Sequence, residues 1–184
     1  LSFIAMSQKA WEAAEKSNIP KFYLNLKSYR KSLSSNSNPY TPAVNLVFAL
    51  DEALKMMREE GLDNIFLRHN KHKLAMSNAV KALNLKLFAD EKCLSPSITA
   101  IKTEGMDAEE FRKTIKKNFD ILLAGGQDHL KGKIFRVGHL GYVNDRDIIT
   151  VVSAISNTLL DLGKITAQQA GEALVVVSKY LKGN

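Results

Sequence analysis

The chain has 184 residues, 45% hydrophobic and 24% charged, which is the balance of an ordinary folded globular protein. Its formal charge of +7 is spread over scattered basic residues without the aromatic–basic interleaving of single-strand binders, which argues against a nucleic-acid partner. No apolar run approaches the roughly 18 residues of a membrane span, and a single cysteine, Cys93, rules out an internal disulfide and fits a reducing compartment.

Residues 2–6 read as a short strand. The chain opens on this apolar run without an initiating Met and without the basic flank of a signal peptide, which suggests a piece of a longer protein. Ser7 then caps a helix to Lys16. After Pro20 a second helical stretch runs to about Ser32, with Phe22, Tyr23, Leu26 and Tyr29 on related faces. The polar segment Leu33-Ser-Ser-Asn-Ser-Asn-Pro-Tyr40 has strong loop composition and marks the expected boundary between an incomplete first domain and the rest of the chain.

Thr41-Pro42 opens the strongest helical pattern. Thr41 is the expected cap and Pro42 the expected first helical residue, where a missing N–H does no harm. Ala43, Leu46, Val47, Leu50, Ala53, Leu54 and Met57 keep helical spacing until Gly61 ends it. A long helix over residues 63–83 comes next.

Beyond Asn84 the pattern changes. Residues 85–88, 98–102, 121–124 and 134–138 read as strands. Asp107 caps a helix through Lys117, Asn144 or Asp145 starts a helix to Leu162, and Thr166 starts the last one. Strands interrupted by single helices, with long helices outside, describe an α+β domain packed on one sheet face. Lys27, Arg30 and Lys31, and again Arg112, Lys113, Lys116 and Lys117, read as solvated helix faces.

Arg136 carries the most information. It sits among Ile134, Phe135, Val137 and Leu140, where burying a cation is costly unless an anion meets it. Its planar fork suits a carboxylate or phosphate. A structural ion pair to a local Asp or Glu and a bound ligand explain it equally well at this stage. Other candidates are weaker. His69 and His72 lie one turn apart, but no Asp, Glu or Cys stands at ligand spacing, so no metal site is expected. His129 and His139 flank the arginine strand as possible acids or bases, with no nucleophile motif beside them. Ala124-Gly125-Gly126-Gln127 could turn backbone N–H groups towards an anion, but it lacks the Lys-Ser/Thr ending of a phosphate loop. Thr41, at a helix start, could face a phosphate as well as cap. Cys93 lies in a polar loop and is not read as catalytic.

In order along the chain, Asn38-Pro39-Tyr40-Thr41-Pro42-Ala43-Val44, a long helix, Glu60-Gly61-Leu62-Asp63-Asn64, Ala124-Gly125-Gly126-Gln127 and Gly132-Lys133-Ile134-Phe135-Arg136-Val137-Gly138-His139-Leu140-Gly141 occur together. This series resembles the C-terminal half of class V pyridoxal-phosphate aminotransferases, in the alanine–glyoxylate and serine–pyruvate branch. Some members of that branch are labelled soluble hydrogenase small subunit.

The resemblance implies the small C-terminal α+β domain of the aspartate-aminotransferase-type fold, an antiparallel sheet covered by helices. Residues 1–32 would then be the tail of the large cofactor-binding domain, 33–83 the linker and interdomain helices, and 84–184 the small domain. It implies a cytoplasmic homodimer with active sites at the subunit interface, moving an amino group from alanine or serine to glyoxylate or pyruvate. Arg136 matches the arginine that holds the substrate α-carboxylate, and Thr41 a threonine that reaches the cofactor phosphate of the neighbouring subunit. Asn38 stands where some relatives have a phosphate-contacting tyrosine, and Tyr40 is a possible substitute. Gly125 and Gly126 match a structural loop beside the active site.

By the same resemblance the Schiff-base lysine lies upstream of Leu1. No catalytic residue is therefore expected in this chain, and alone it is expected to be inactive. A second function stays open, that of a non-catalytic subunit or interaction module with the same fold, with a hydrogenase as its candidate partner. The chain carries no Cys or His cluster suited to nickel, iron or iron–sulfur.

Overall fold

The computed structural model describes residues 1–182 and divides into two units, Leu1–Glu60 and Gly61–Asn184. In the first unit Ser7 caps α1 (Gln8–Lys16), its Oγ accepting the Ala10 N–H at 3.2 Å. Asn25 caps α2 (Leu26–Leu33) by accepting the Lys27 N–H. The cap falls well after Pro20, so Phe22 and Tyr23 precede the helix rather than lying on it. Lys27 pairs with Glu15 at 2.7 Å, and the Arg30 guanidinium lies 4.7 Å from the centre of the Trp11 ring. Residues 2–6 form no strand: they pair with no other segment and are mostly exposed.

α3 (Val44–Glu60) also starts later than its sequence suggests. Its first helical bond runs from the Val47 N–H to the Ala43 carbonyl, and Val44 N–H turns back to Pro42. The helix thus begins beyond Pro42, so Thr41 stands outside it and does not cap it. Gly61 ends α3 as expected, with φ +82° that suits glycine alone.

The second unit holds the buried core. It comprises α4 (Leu62–Ala82), β1 (Lys86–Leu87), β2 (Ile98–Lys102), α5 (Ala108–Phe119), β3 (Ala124–Gly125), β4 (Ile134–Gly138), α6 (Asp145–Asp161) and α7 (Ala167–Lys182). The four strands form one antiparallel sheet in the order β1-β2-β4-β3, so the α+β architecture of helices on an antiparallel sheet stands. Asp107 caps α5 with two side-chain bonds, and Asn144 caps α6 in a reciprocal capping box with Asp147.

Strand alternation sorts the sheet into two faces. Thr99 and Ile101 on β2, with Phe135 and Val137 on β4, turn to the helices and are buried. Phe111 of α5 packs on Phe135 with ring centroids 5.1 Å apart. Met76, Val80, Ile148, Ile155, Leu159 and Val177 complete that core from α4, α6 and α7. Arg136 takes the opposite face.

Candidate functional site

Arg136 lies in the middle of β4, directly across from Ala100 on β2 and Ala124 on β3. Both neighbours end at a methyl group, which leaves space around a half-buried guanidinium. Its Nε donates to the Gly125 carbonyl at 2.9 Å. Among the described residues nothing bonds to its two Nη atoms, and no Asp or Glu pairs with it. The structural ion pair that the sequence left open is therefore absent, and the outer edge of the fork is available.

The Gly125-Gly126 turn is shaped by close approaches. The N–H of Gly126 bonds to the Ile134 carbonyl at 3.1 Å, so it extends the sheet and is not presented to an anion. A Cβ on Gly126 would run into the Leu130 carbonyl, which is backbone and cannot move aside. Behind Gly125, on the helix face, Arg112 donates Nε to the Leu123 carbonyl at 2.7 Å and Nη1 to both carboxylate oxygens of Glu109 at 2.8 Å. Arg112 thus departs from the solvated face expected of its cluster. Its side chain is 22% exposed, against 71% for Lys113 next to it. The Glu-x-x-Arg spacing of Glu109 and Arg112 is the sequence signal that could have revealed the pair.

The loop after β4 is tied to α4. Arg68 Nη1 donates to the carbonyls of Gly141 (2.9 Å) and Val143 (2.8 Å), and His69 Nε2 accepts the Gly141 N–H at 3.2 Å. His72 is fully buried, contrary to the solvated face expected for it, and its Nε2–H donates to Asp145 at 2.9 Å. Lys71 binds the other Asp145 oxygen at 2.8 Å. Burial opposes the Asp145 carboxylate, but the bonds from Lys71 and His72 outweigh it and hold its pKa below the ordinary value. Burial lowers the His72 pKa, and its Nδ1 has no partner.

His139 is also fully buried, bonded through Nδ1 to the Pro96 carbonyl at 3.1 Å and through Nε2 to Thr99 Oγ1 at 2.9 Å. Burial pushes its pKa down to about 4. A neutral ring with both nitrogens committed is a structural group rather than an exposed acid or base. His129 is exposed on a short 3₁₀ turn, Asp128–Leu130. Among the described residues no group of three or more His, Cys, Asp or Glu is arranged to hold a metal ion.

In the first unit, Asn38, Tyr40 and Thr41 come together around an open concavity of about 840 Å3, shared with Tyr23, Asn36, Ser37 and the two prolines. Its polar groups are neutral hydroxyls and amides. Tyr40 is half buried at the centre of an aromatic cluster, 4.7 Å from Tyr23 and about 6 Å from Phe22 and Tyr29 (6.0 and 6.1 Å). Its hydroxyl donates to the Phe22 carbonyl at 3.3 Å. Asn38 and Thr41 are exposed.

No family model matches the chain. It is 55% identical over 181 residues to a protein of Synechococcus sp. (strain PCC 6716) named soluble hydrogenase, small subunit, covering 98% of this chain and 47% of that one. It is 33% identical over 192 residues to a serine–glyoxylate aminotransferase of Methylorubrum extorquens, covering 100% and 47%. Among solved structures it superposes on a ureidoglycine–glyoxylate aminotransferase of Bacillus subtilis with a TM-score of 0.81 at 31% identity, covering 90% of this chain and 44% of the other. The chain thus spans about half the length of the curated relatives it matches.

Proposed function

We propose, from the premise that this chain belongs with the class V aminotransferases as the counterpart of their C-terminal part, that Arg136 holds the α-carboxylate of an amino-acid or 2-oxo-acid substrate. The observation behind this is the free fork. A half-buried guanidinium anchored by Nε, flanked by two alanines and facing no carboxylate, suits a planar anion held by two parallel bonds. The full-length protein would move an amino group from alanine or serine to glyoxylate or pyruvate, as a cytoplasmic homodimer with its active sites at the interface.

The neutral donors of the Asn38–Thr41 concavity fit the phosphate end of pyridoxal phosphate. Thr41 Oγ1 and the Asn38 amide are the groups this chain offers to it. Tyr40 is a lesser candidate, because its hydroxyl already serves Phe22. Pyridoxal phosphate, when bound, takes up the amino group and disperses the negative charge left on the substrate carbon. Arg136 does the orienting: two bonds to the carboxylate fix the direction of the substrate's Cα–H bond, and alignment of that kind is a large part of the rate. None of the lysines here matches the position of the family's cofactor-bonding lysine, so this chain alone is expected to be inactive.

The test uses the full-length protein with added pyridoxal phosphate. A visible absorbance that bleaches on adding alanine supports the enzyme, and a folded protein without such absorbance would sink it. The relative named as a hydrogenase subunit favours a second reading, a non-catalytic subunit or interaction module of the same fold. A folded protein that lacks the absorbance is the outcome that reading expects.

A further inference from the structure

We propose that Arg112 is a positioning residue for Arg136, acting through the backbone of Gly125. This rests on the role proposed above for Arg136 and adds a residue that role does not include. β3 is an edge strand of two residues, paired with β4 at Ala124↔Arg136 and Gly125↔Phe135 and prolonged by a single bond from the Gly126 N–H to the Ile134 carbonyl. So short a pairing holds a carbonyl loosely by itself. Yet the Gly125 carbonyl is the group that fixes Arg136, accepting its Nε at 2.9 Å.

The support for that carbonyl comes from the other side of the strand. Arg112, on α5, grips the Leu123 carbonyl two residues earlier at 2.7 Å and is itself held by both oxygens of Glu109. The pair presses directly on Gly125: a Cβ there would stand 2.5 Å from Arg112 Nη1 and 2.5 Å from Glu109 Oε1. A glycine is needed for that contact, and its backbone φ is not the reason. Two arginines therefore sit on opposite faces of one edge strand. Arg112 fixes the strand, and the strand fixes the Nε of Arg136, so that only the outer fork stays free for an anion.

The test uses the Nε–H signal of Arg136 by NMR in the 184-residue chain, assigned by its loss in Arg136→Lys. Exchange of this proton with water reports how firmly it is bound to Gly125. Arg112→Gln is expected to speed the exchange about fivefold to tenfold, the factor that goes with loosening one hydrogen bond. Arg112→Lys should not restore it, because an ammonium cannot serve Leu123 and both Glu109 oxygens in one plane. Ile115→Val, which loosens the same helix in the core, should leave the exchange rate unchanged. If Arg112→Gln fails to fold, Gly125→Ala takes its place by pushing the Arg112–Glu109 pair aside, with the same acceleration expected. An unchanged rate in a folded Arg112→Gln or Gly125→Ala chain overturns the proposal. The carboxylate role fails separately: an unchanged KM for alanine in full-length Arg136→Lys rejects that role and leaves the exchange result standing.

Discussion

Ala124 stands directly across from Arg136, on the edge strand of the sheet. Residues so paired have Cβ atoms about 5 Å apart, within reach of a side-chain bond. A glutamate at 124 would supply the carboxylate that the fold withholds from Arg136. Ala124→Glu is expected to change unfolding stability by no more than about 1 kcal/mol, the scale of a partly exposed pair. In the full-length protein it should weaken amino-acid binding by about tenfold or more, the scale of losing a charge-assisted hydrogen bond. A denaturation curve and a binding titration on the same variant check both parts.

The turn that carries the Arg136 anchor is equally constrained. Because a Cβ on Gly126 meets the Leu130 backbone, Gly126→Ala must displace either β3 or the adjoining 3₁₀ turn. A loss of about 1–3 kcal/mol in chemical denaturation is expected, the range for overpacking. At Gly125 the clash is with the ends of two flexible side chains, so Gly125→Ala should cost clearly less.

The buried histidines make stability depend on pH. The His139 pKa is about 4 in the folded chain and near 6.5 once unfolded, so between those values the unfolded state holds more protons. Stability is therefore complete above pH 6.5 and falls as the pH drops towards 4, by about 1.4 kcal/mol per pH unit from this group. His72, lowered in the same direction by burial, adds to the slope. The lowered Asp145 pKa acts in the same sense, at the acid end of the range. Urea denaturation at several pH values should show the slope, and His139→Gln should flatten it.

The core beneath the arginine strand provides a test of the packing. Phe135 is fully buried against Phe111, one residue from Arg136 on the opposite face. Phe135→Ala is expected to cost about 3–5 kcal/mol, whereas Asn144→Ala, which removes one capping side chain, should cost about 1 kcal/mol. Thermal or chemical unfolding of the two variants will rank them.

The features legible in the sequence were local ones. Asp107 and Asn144 announce their helices because a cap satisfies N–H groups two and three residues away. β2 and β4 announce themselves by apolar alternation. Residues 2–6 show the limit: their apolar run resembles a strand, but a strand exists only where another segment pairs with it. Residues 121–124 fail for a related reason, since of these four only Ala124 enters the ladder with β4. Arg136 stood out because an arginine in an apolar run is costly. The groups around it were hidden: Asp145 meets His72 from 73 positions away, and Arg112 looked like one more surface cation until the fold turned it towards Gly125.

If the free fork of Arg136 binds a substrate carboxylate, the most direct measurement is the dissociation constant for alanine in the full-length protein, wild type against Arg136→Lys. Lysine keeps the charge but loses the two parallel bonds, so affinity should fall by about tenfold or more while the fold and cofactor absorbance are retained. An unchanged dissociation constant in the folded variant would contradict that role.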